Sequence, residues 1–340
     1  MELVSIDKVI DETLSIIERR AAGEKFGYAT GWSTLNRAMG GGISYNTNLT
    51  IGGRTGTGKS AFCNLLLLGI LNNNPTEDFV VLYWNWEMMN YQQGLRLLSN
   101  QNNKSVSQLM SAETAITKSE ITSLKKSVEQ LKGFPVHFIE SPDNPKNLAG
   151  LIGYLADKRF PGKNLINFFD HTRLVLQDDV TSEEVKIHKF YECLQTVKKK
   201  CRCTNIVLSQ LNRKLEDDYN KSGRYRPPNL SDIFGSDAAA QYSESVILLH
   251  RPELYNQLSI DPPIIVGEHT YNISAKDIIV AELAKNRDGP IGRIVFKHNL
   301  KYNQITEWKP PHLQNNQSQN SQPVKESPKS ADYSLWDLLA

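Results

Sequence analysis

The chain has 340 residues, 39 Lys+Arg against 37 Asp+Glu, a formal charge of +2 and four cysteines. A chain of this length buries a core without disulfide or metal staples, and four cysteines with no leading apolar signal segment argue against a secreted scaffold, so the cytoplasm is the expected compartment. No apolar run approaches the ~20 residues that cross a bilayer. The near-neutral charge excludes a polycationic coat but leaves room for a few basic loops that bind nucleic acid.

The first 29 residues carry Ile6, Val9, Ile10, Leu14 and Ile17 in steps of three and four, which predicts one helix with a single apolar stripe. Gly23 and Gly27 end the pattern. The stripe must pack on its own domain or on a neighbouring subunit. Residues 30–309 alternate strands and helices. Strands are predicted at 49–51, 79–84, 135–139, 165–169, 205–208, 245–249 and 278–283, with a closing antiparallel pair at 292–296 and 304–308. Helices are predicted at 61–71, 119–132 and 183–200. Several strands are continuous apolar runs, which favours a sheet buried on both faces in an α/β layer fold. Residues 310–331 are rich in Pro, Gln, Asn and Ser and are expected to be disordered. The chain closes on Asp332-Tyr333-Ser334-Leu335-Trp336-Asp337-Leu338-Leu339-Ala340. That end is either an idle tail or an acidic–apolar peptide for a partner.

The strongest motif is Gly53-Arg54-Thr55-Gly56-Thr57-Gly58-Lys59-Ser60, which fits G-x-x-x-x-G-K-[ST] between a strand and a helix opened by Ala61. Its glycines let successive N–H groups face inward as an anion nest, and the following helix aims its positive end at phosphate. Lys59 supplies charge for the β and γ oxygens of ATP, and the Ser60 hydroxyl is a Mg²⁺ ligand. Further groups stand where strands end. Asp170 closes an apolar strand and is the candidate second metal residue, although Asn167 is a polar intruder in that strand. Glu87 follows the 79–86 run and is the candidate base or water-orienting group. Gln210 ends 205–210 and is the candidate sensor of the γ-phosphate. In a parallel sheet these ends gather on one side.

These pieces resemble, in order, the motor domain of DnaB-type replicative helicases. The resemblance rests on Thr30-Gly31-Trp32, Gly40-Gly41-Gly42, the Gly53–Ser60 loop, Trp86-Glu87-Met88, Leu95–Ser99, Leu208–Arg213, Leu230–Ile233 and Ala284–Pro290, and spans about residues 6–309. It implies a RecA-like P-loop NTPase, α/β with a mainly parallel central sheet flanked by helices, plus an N-terminal linker helix at 1–29, a motor at 30–309 and a tail at 310–340. It implies an ATP-dependent helicase working on single-stranded DNA as a homo-hexameric ring. Glu87 would activate water, Gln210 would report on the γ-phosphate, and Asp170 would support the metal. Arg287, with Lys285, would reach the ATP of the adjacent subunit as an arginine finger. The linker helix would pack on the next subunit. A primase, a loader or a single-strand-binding protein is the expected partner, with the tail as a docking element. The chain departs from the family in three ways. It leaves no room for the N-terminal primase-binding domain, which suggests a minimal helicase or one that relies on another protein. Phe234-Gly235-Ser236-Asp237 stands where a basic and an acidic residue are usual. Asp170-His171 replaces the family's Asp-Tyr.

The expected DNA face is the polar loop after Gln210, with Arg213, Lys214, Lys221, Arg224 and Arg226, and with Tyr225 as a base-stacking candidate. Ser236 in the 231–241 segment is a second candidate. Lys198-Lys199-Lys200 sits at a helix end, where cations complement the dipole. Cys201 and Cys203 lack a second ligand pair at zinc spacing. A RecA-fold recombinase and a non-motor nucleotide-binding adaptor remain alternatives.

Overall fold

A computed structural model describes residues 3–113, 115–141, 145–172, 182–213, 215–216, 219, 221, 223 and 225–311. The chain runs α1 (Ile6–Ala21), β1 (Gly27–Tyr28), α2 (Ser33–Ala38), β2 (Ile43–Ser44), β3 (Asn48–Gly53), α3 (Lys59–Asn73) and β4 (Phe79–Asn85). Then come α4 (Asn90–Asn102), α5 (Val106–Leu109), α6 (Lys118–Lys132), β5 (Val136–Ile139), α7 (Pro145–Tyr154), β6 (Asn164–Asp170), α8 (Glu183–Cys201) and β7 (Cys203–Gln210). The last elements are α9 (Ser236–Tyr242), β8 (Ser245–His250), β9 (Ile264–Val266), β10 (His269–Tyr271), β11 (Ile278–Asn286), β12 (Gly292–Asn299) and β13 (Gln304–Glu307).

The main sheet has the order β13-β12-β11-β8-β3-β7-β6-β4-β5. From β8 to β5 every pairing is parallel, while β11, β12 and β13 add an antiparallel flank. Burial on both faces explains the apolar runs. Along β4, Val81 and Tyr83 join one core with Phe62, Leu66, Ile70 and Phe168. Val80, Leu82 and Trp84 join the opposite core with Phe169, Phe190 and Leu194. Alternate side chains thus point into different layers, and neither layer admits a solvated face. Helix α3 is buried around most of its circumference, which is why its sequence shows no polar stripe.

A buried amide ladder crosses the sheet. Trp84 Nε1 donates to Asn167 Oδ1 at 3.1 Å, Asn167 Nδ2 to Asn205 Oδ1 at 2.9 Å, and Asn205 Nδ2 to Asn48 Oδ1 at 2.8 Å. Asn48 Nδ2 then donates to the Tyr242 carbonyl, the last of α9, at 2.9 Å. Asn167 is therefore a partnered member of the core, not a flaw in the strand.

Helix α1 starts at Ser5, whose side chain accepts from Lys8 N, and has no buried residue. Its stripe is open, with Ile6 70% and Leu14 54% exposed. The β9–β10 hairpin, which the apolar pattern does not predict, packs Ile264 and Val266 with Ile278, Val295 and Trp308 in a small third core. Among the described residues no helix is long and apolar enough to cross a membrane. The tail from 312 onward lies outside them.

Candidate functional site

The Gly-rich loop joins β3 to α3. Gly56 and Gly58 stand at φ +82° and +90°, where a side chain is strained. Gly53 is needed for room: a Cβ there would lie 2.7 Å from Thr57 Oγ1 and 2.9 Å from Lys59 Cγ. The helix begins at Lys59 behind left-handed Gly58 with no side-chain cap, so its first N–H groups face the loop. Lys59 Nζ donates to the Gly53 and Arg54 carbonyls at 2.7 and 3.0 Å. Burial pushes its ammonium down to about 8; Asp170 and Glu87 oppose that shift and Arg54 adds to it.

Sheet order brings the other groups alongside. Gly53 pairs with Gln210 in register, Asn85 pairs with Asp170, and Trp86 N donates to the Asp170 carbonyl at 3.0 Å. The strand ends of β3, β7, β6 and β4 thus carry the phosphate loop, Gln210, Asp170 and Glu87 along one edge. Asp170 is buried, and its Oδ2 makes no hydrogen bond among the described residues. Burial pushes its carboxyl up to about 6, helped by Glu87 and opposed by Arg96 and Lys59. A buried, unpartnered carboxylate oxygen on the edge that carries Ser60 fits a hard divalent cation such as Mg²⁺. Cys63 and Tyr83 lie buried within reach of the same carboxylate's field, and burial pushes both above their ordinary ranges.

Three features of the site escape the motif reading. His171, buried directly after Asp170, has Nε2 3.2 Å from Gln210 Nε2 and 3.8 Å from Glu87 Oε2. Arg54 leaves the phosphate loop to grip Glu216 with two bonds of 2.8 and 2.6 Å, and its Nη1 donates to the Leu211 carbonyl at 3.0 Å. Arg251, just past the end of β8, donates to the Gly56 carbonyl at 2.8 Å. A basic residue following a strand on this same edge was the available signal for Arg251. Glu253, Asp277 and His298 bring ligand-type atoms within 4.8 Å of one another. Glu253 already accepts from Arg251 Nε at 3.0 Å and contacts His298 at 3.2 Å. The guanidinium supplies the positive charge there.

The expected DNA residues divide. Arg213 and Lys221 are exposed in the segment after β7, Lys221 in a helical turn. Lys214 and Arg224 lie outside the described residues, as does the side chain of Ser236, the first residue of α9. Arg226 meets Asp232 with bonds of 2.6 and 2.7 Å and keeps its side chain 38% exposed. Tyr225 is half-buried in the same segment. Its hydroxyl meets His250 Nδ1 and its ring packs 5.3 Å from Tyr255, which ties the segment to the body of the domain. Lys285 is drawn back: Nζ donates to the Ala240 and Ser243 carbonyls at 2.5 and 2.7 Å, fastening the end of α9 to β11. Burial, with Arg287 nearby, holds its ammonium below the usual range. Arg287 is 55% exposed, 3.5 Å from Glu244. Lys198 is buried and paired with the same glutamate at 2.8 Å.

The chain is 26% identical over 265 residues to the "Probable replicative DNA helicase" of Trieres chinensis, covering 76% of this chain and 53% of that protein. Over 91% of its length it superposes on the ATPase domain of G40P, TM-score 0.76 and 21% identity, covering 100% of that chain. It also superposes, over 91% of its length and 68% of the other chain, on a DnaB-like replicative helicase described with its interactions with primase, TM-score 0.72 and 20% identity. The fold is the RecA-like ATPase fold. The chain spans between half and two thirds of the length of the first curated relatives it matches. The model of the DnaB-like helicase C-terminal domain matches residues 27–307, which takes in the phosphate loop and every strand-end residue described above, and the chain belongs to that family.

Proposed function

We propose that this chain is the ATP-hydrolysing motor of a replicative DNA helicase, moving on single-stranded DNA as a hexameric ring of identical subunits and opening duplex DNA. The observation that carries the reading is the single edge on which the phosphate loop, Glu87, Asp170 and Gln210 meet. Gly53 to Ala61 would cradle the phosphates, with Lys59 leaving the loop carbonyls for the β and γ oxygens. Ser60 and Asp170 would hold Mg²⁺, which neutralises charge on those oxygens. Glu87 would orient the attacking water and take its proton. Gln210 would hydrogen-bond the γ-phosphate and register its loss.

Ring assembly is supported by two surface features. The apolar stripe of α1 is open along its length and suits a second copy of the chain. Arg287 has the exposure a finger entering the neighbour's site requires, and a trans finger is worth a large rate factor. Arg213, Lys221 and Arg226 are the described basic residues of the segment proposed to face DNA, with Lys214, Arg224 and Ser236 as further candidates. The Arg54–Glu216 pair would link that loop to the phosphate loop. A primase, a loader or a single-strand-binding protein is the proposed partner, and the cytoplasm the proposed compartment.

A forked duplex tests the reading. Unwinding with ATP and Mg²⁺, abolished in Lys59→Ala, is expected. Filament formation with strand exchange would favour a recombinase, and nucleotide binding without turnover an adaptor.

A further inference from the structure

We propose that His171 is a positioning residue for hydrolysis, setting Glu87 and Gln210 relative to one another. The inference rests on the roles assigned above to those two residues. Its basis is the position of one atom. Strand β6 lies between β4 and β7, so the residue after its end stands between the ends of its two neighbours. His171 occupies that place, buried, and its Nε2 faces both Gln210 Nε2 at 3.2 Å and Glu87 Oε2 at 3.8 Å.

A single ring nitrogen serves one hydrogen bond at a time. When Nε2 accepts from the Gln210 amide, its lone pair repels the Glu87 carboxylate. When it bears the hydrogen, it donates either to the amide oxygen of a flipped Gln210 or to Glu87. The amide orientation of Gln210 and the position of Glu87 are thereby coupled. In the tautomer with the hydrogen on Nε2, a Gln210 amide that turns toward a γ-phosphate frees that N–H for Glu87; in the other tautomer the same turn leaves a lone pair that repels Glu87, so in both the sensing group and the water-orienting group change together. The ring is 7% exposed, so it has little freedom to leave this place.

The test is steady-state ATP turnover by the full chain with single-stranded DNA and Mg²⁺, with unfolding followed in parallel. His171→Phe keeps the ring volume and removes the nitrogen; about a tenfold loss of kcat is expected, with KM for ATP and Tm nearly unchanged. In a Gln210→Ala background the same change should add little, because the partner is already gone. His171→Gln places an amide nitrogen near the position of Nε2 and should recover part of the rate. His171→Asn places it near Nδ1 and should not. Asn also carries the test if the Phe variant does not fold. Wild-type kcat in folded His171→Phe or His171→Asn, a loss confined to KM, or full additivity with Gln210→Ala would overturn the proposal. Wild-type turnover in both Glu87→Ala and Gln210→Ala would instead remove the reading of those two residues, and the proposal with it.

Discussion

Asp170 shows how a site can work against its own fold. Its folded carboxyl titrates near 6, above the ordinary 3.8. The folded state therefore holds the proton more tightly than the unfolded chain does. The resulting stability is fully present below pH ~4 and is lost as pH rises through about 6, by an upper bound of about 3 kcal/mol. Asp170→Asn removes that loss. Without Mg²⁺ at pH 8 the variant should melt higher than the parent by roughly 1–3 kcal/mol equivalent, with the gap closing toward pH 4. Thermal scans across pH with EDTA measure this. The same variant should lose ATP turnover, because its amide is a poor substitute for a carboxylate beside a divalent cation. The carboxylate's residue type and strand-end place are readable in the chain. Its burial and shifted titration are not, because they come from the packing of neighbouring elements and then from Glu87.

Strand β7 illustrates how elements depend on one another. Its apolar residues fill two cores, while Asn205 bonds to Asn167 on one side and Asn48 on the other. Asn205→Leu would leave buried amide groups on both neighbours unpaired, at a cost of about 2–4 kcal/mol, whereas Val207→Ala should cost a cavity of smaller effect. Urea denaturation of the two variants compares them. The loop after β7 hangs from the phosphate loop through Arg54 and Glu216, whose pair is partly exposed. Glu216→Gln should change stability by under about 1 kcal/mol. It should nonetheless reduce the stimulation of ATP turnover by single-stranded DNA, read as the ratio of rates with and without DNA. Individual strands were legible from their apolar runs. The amide ladder was not, since Asn48, Asn167 and Asn205 lie far apart in sequence and each looks like an isolated interruption.

Over the molecule, the contrast is between a core with little room for change and a helix that contributes nothing to it. Helix α1 has no buried residue, so Ile10→Glu with Leu14→Glu should leave the melting of the monomer unchanged. It should abolish ring assembly, seen by mass photometry with ATP and single-stranded DNA, and lower turnover with it, since Arg287 would lack a neighbour. An isolated helix of 16 residues is marginal in water, which gives α1 a physical reason to seek a partner.

Local chemistry made the phosphate loop, the strands and the three strand-end groups readable in order. Glycine spacing, apolar continuity and the polar residue closing each strand are properties of neighbouring positions. The separate pairing of β1 with β2, the β9–β10 hairpin, the contacts of Tyr225 with His250 and of Arg226 with Asp232, and the place of His171 required the tertiary structure. Each depends on which strands lie side by side and which side chains they leave to satisfy one another, and a linear pattern of residue types does not contain that information.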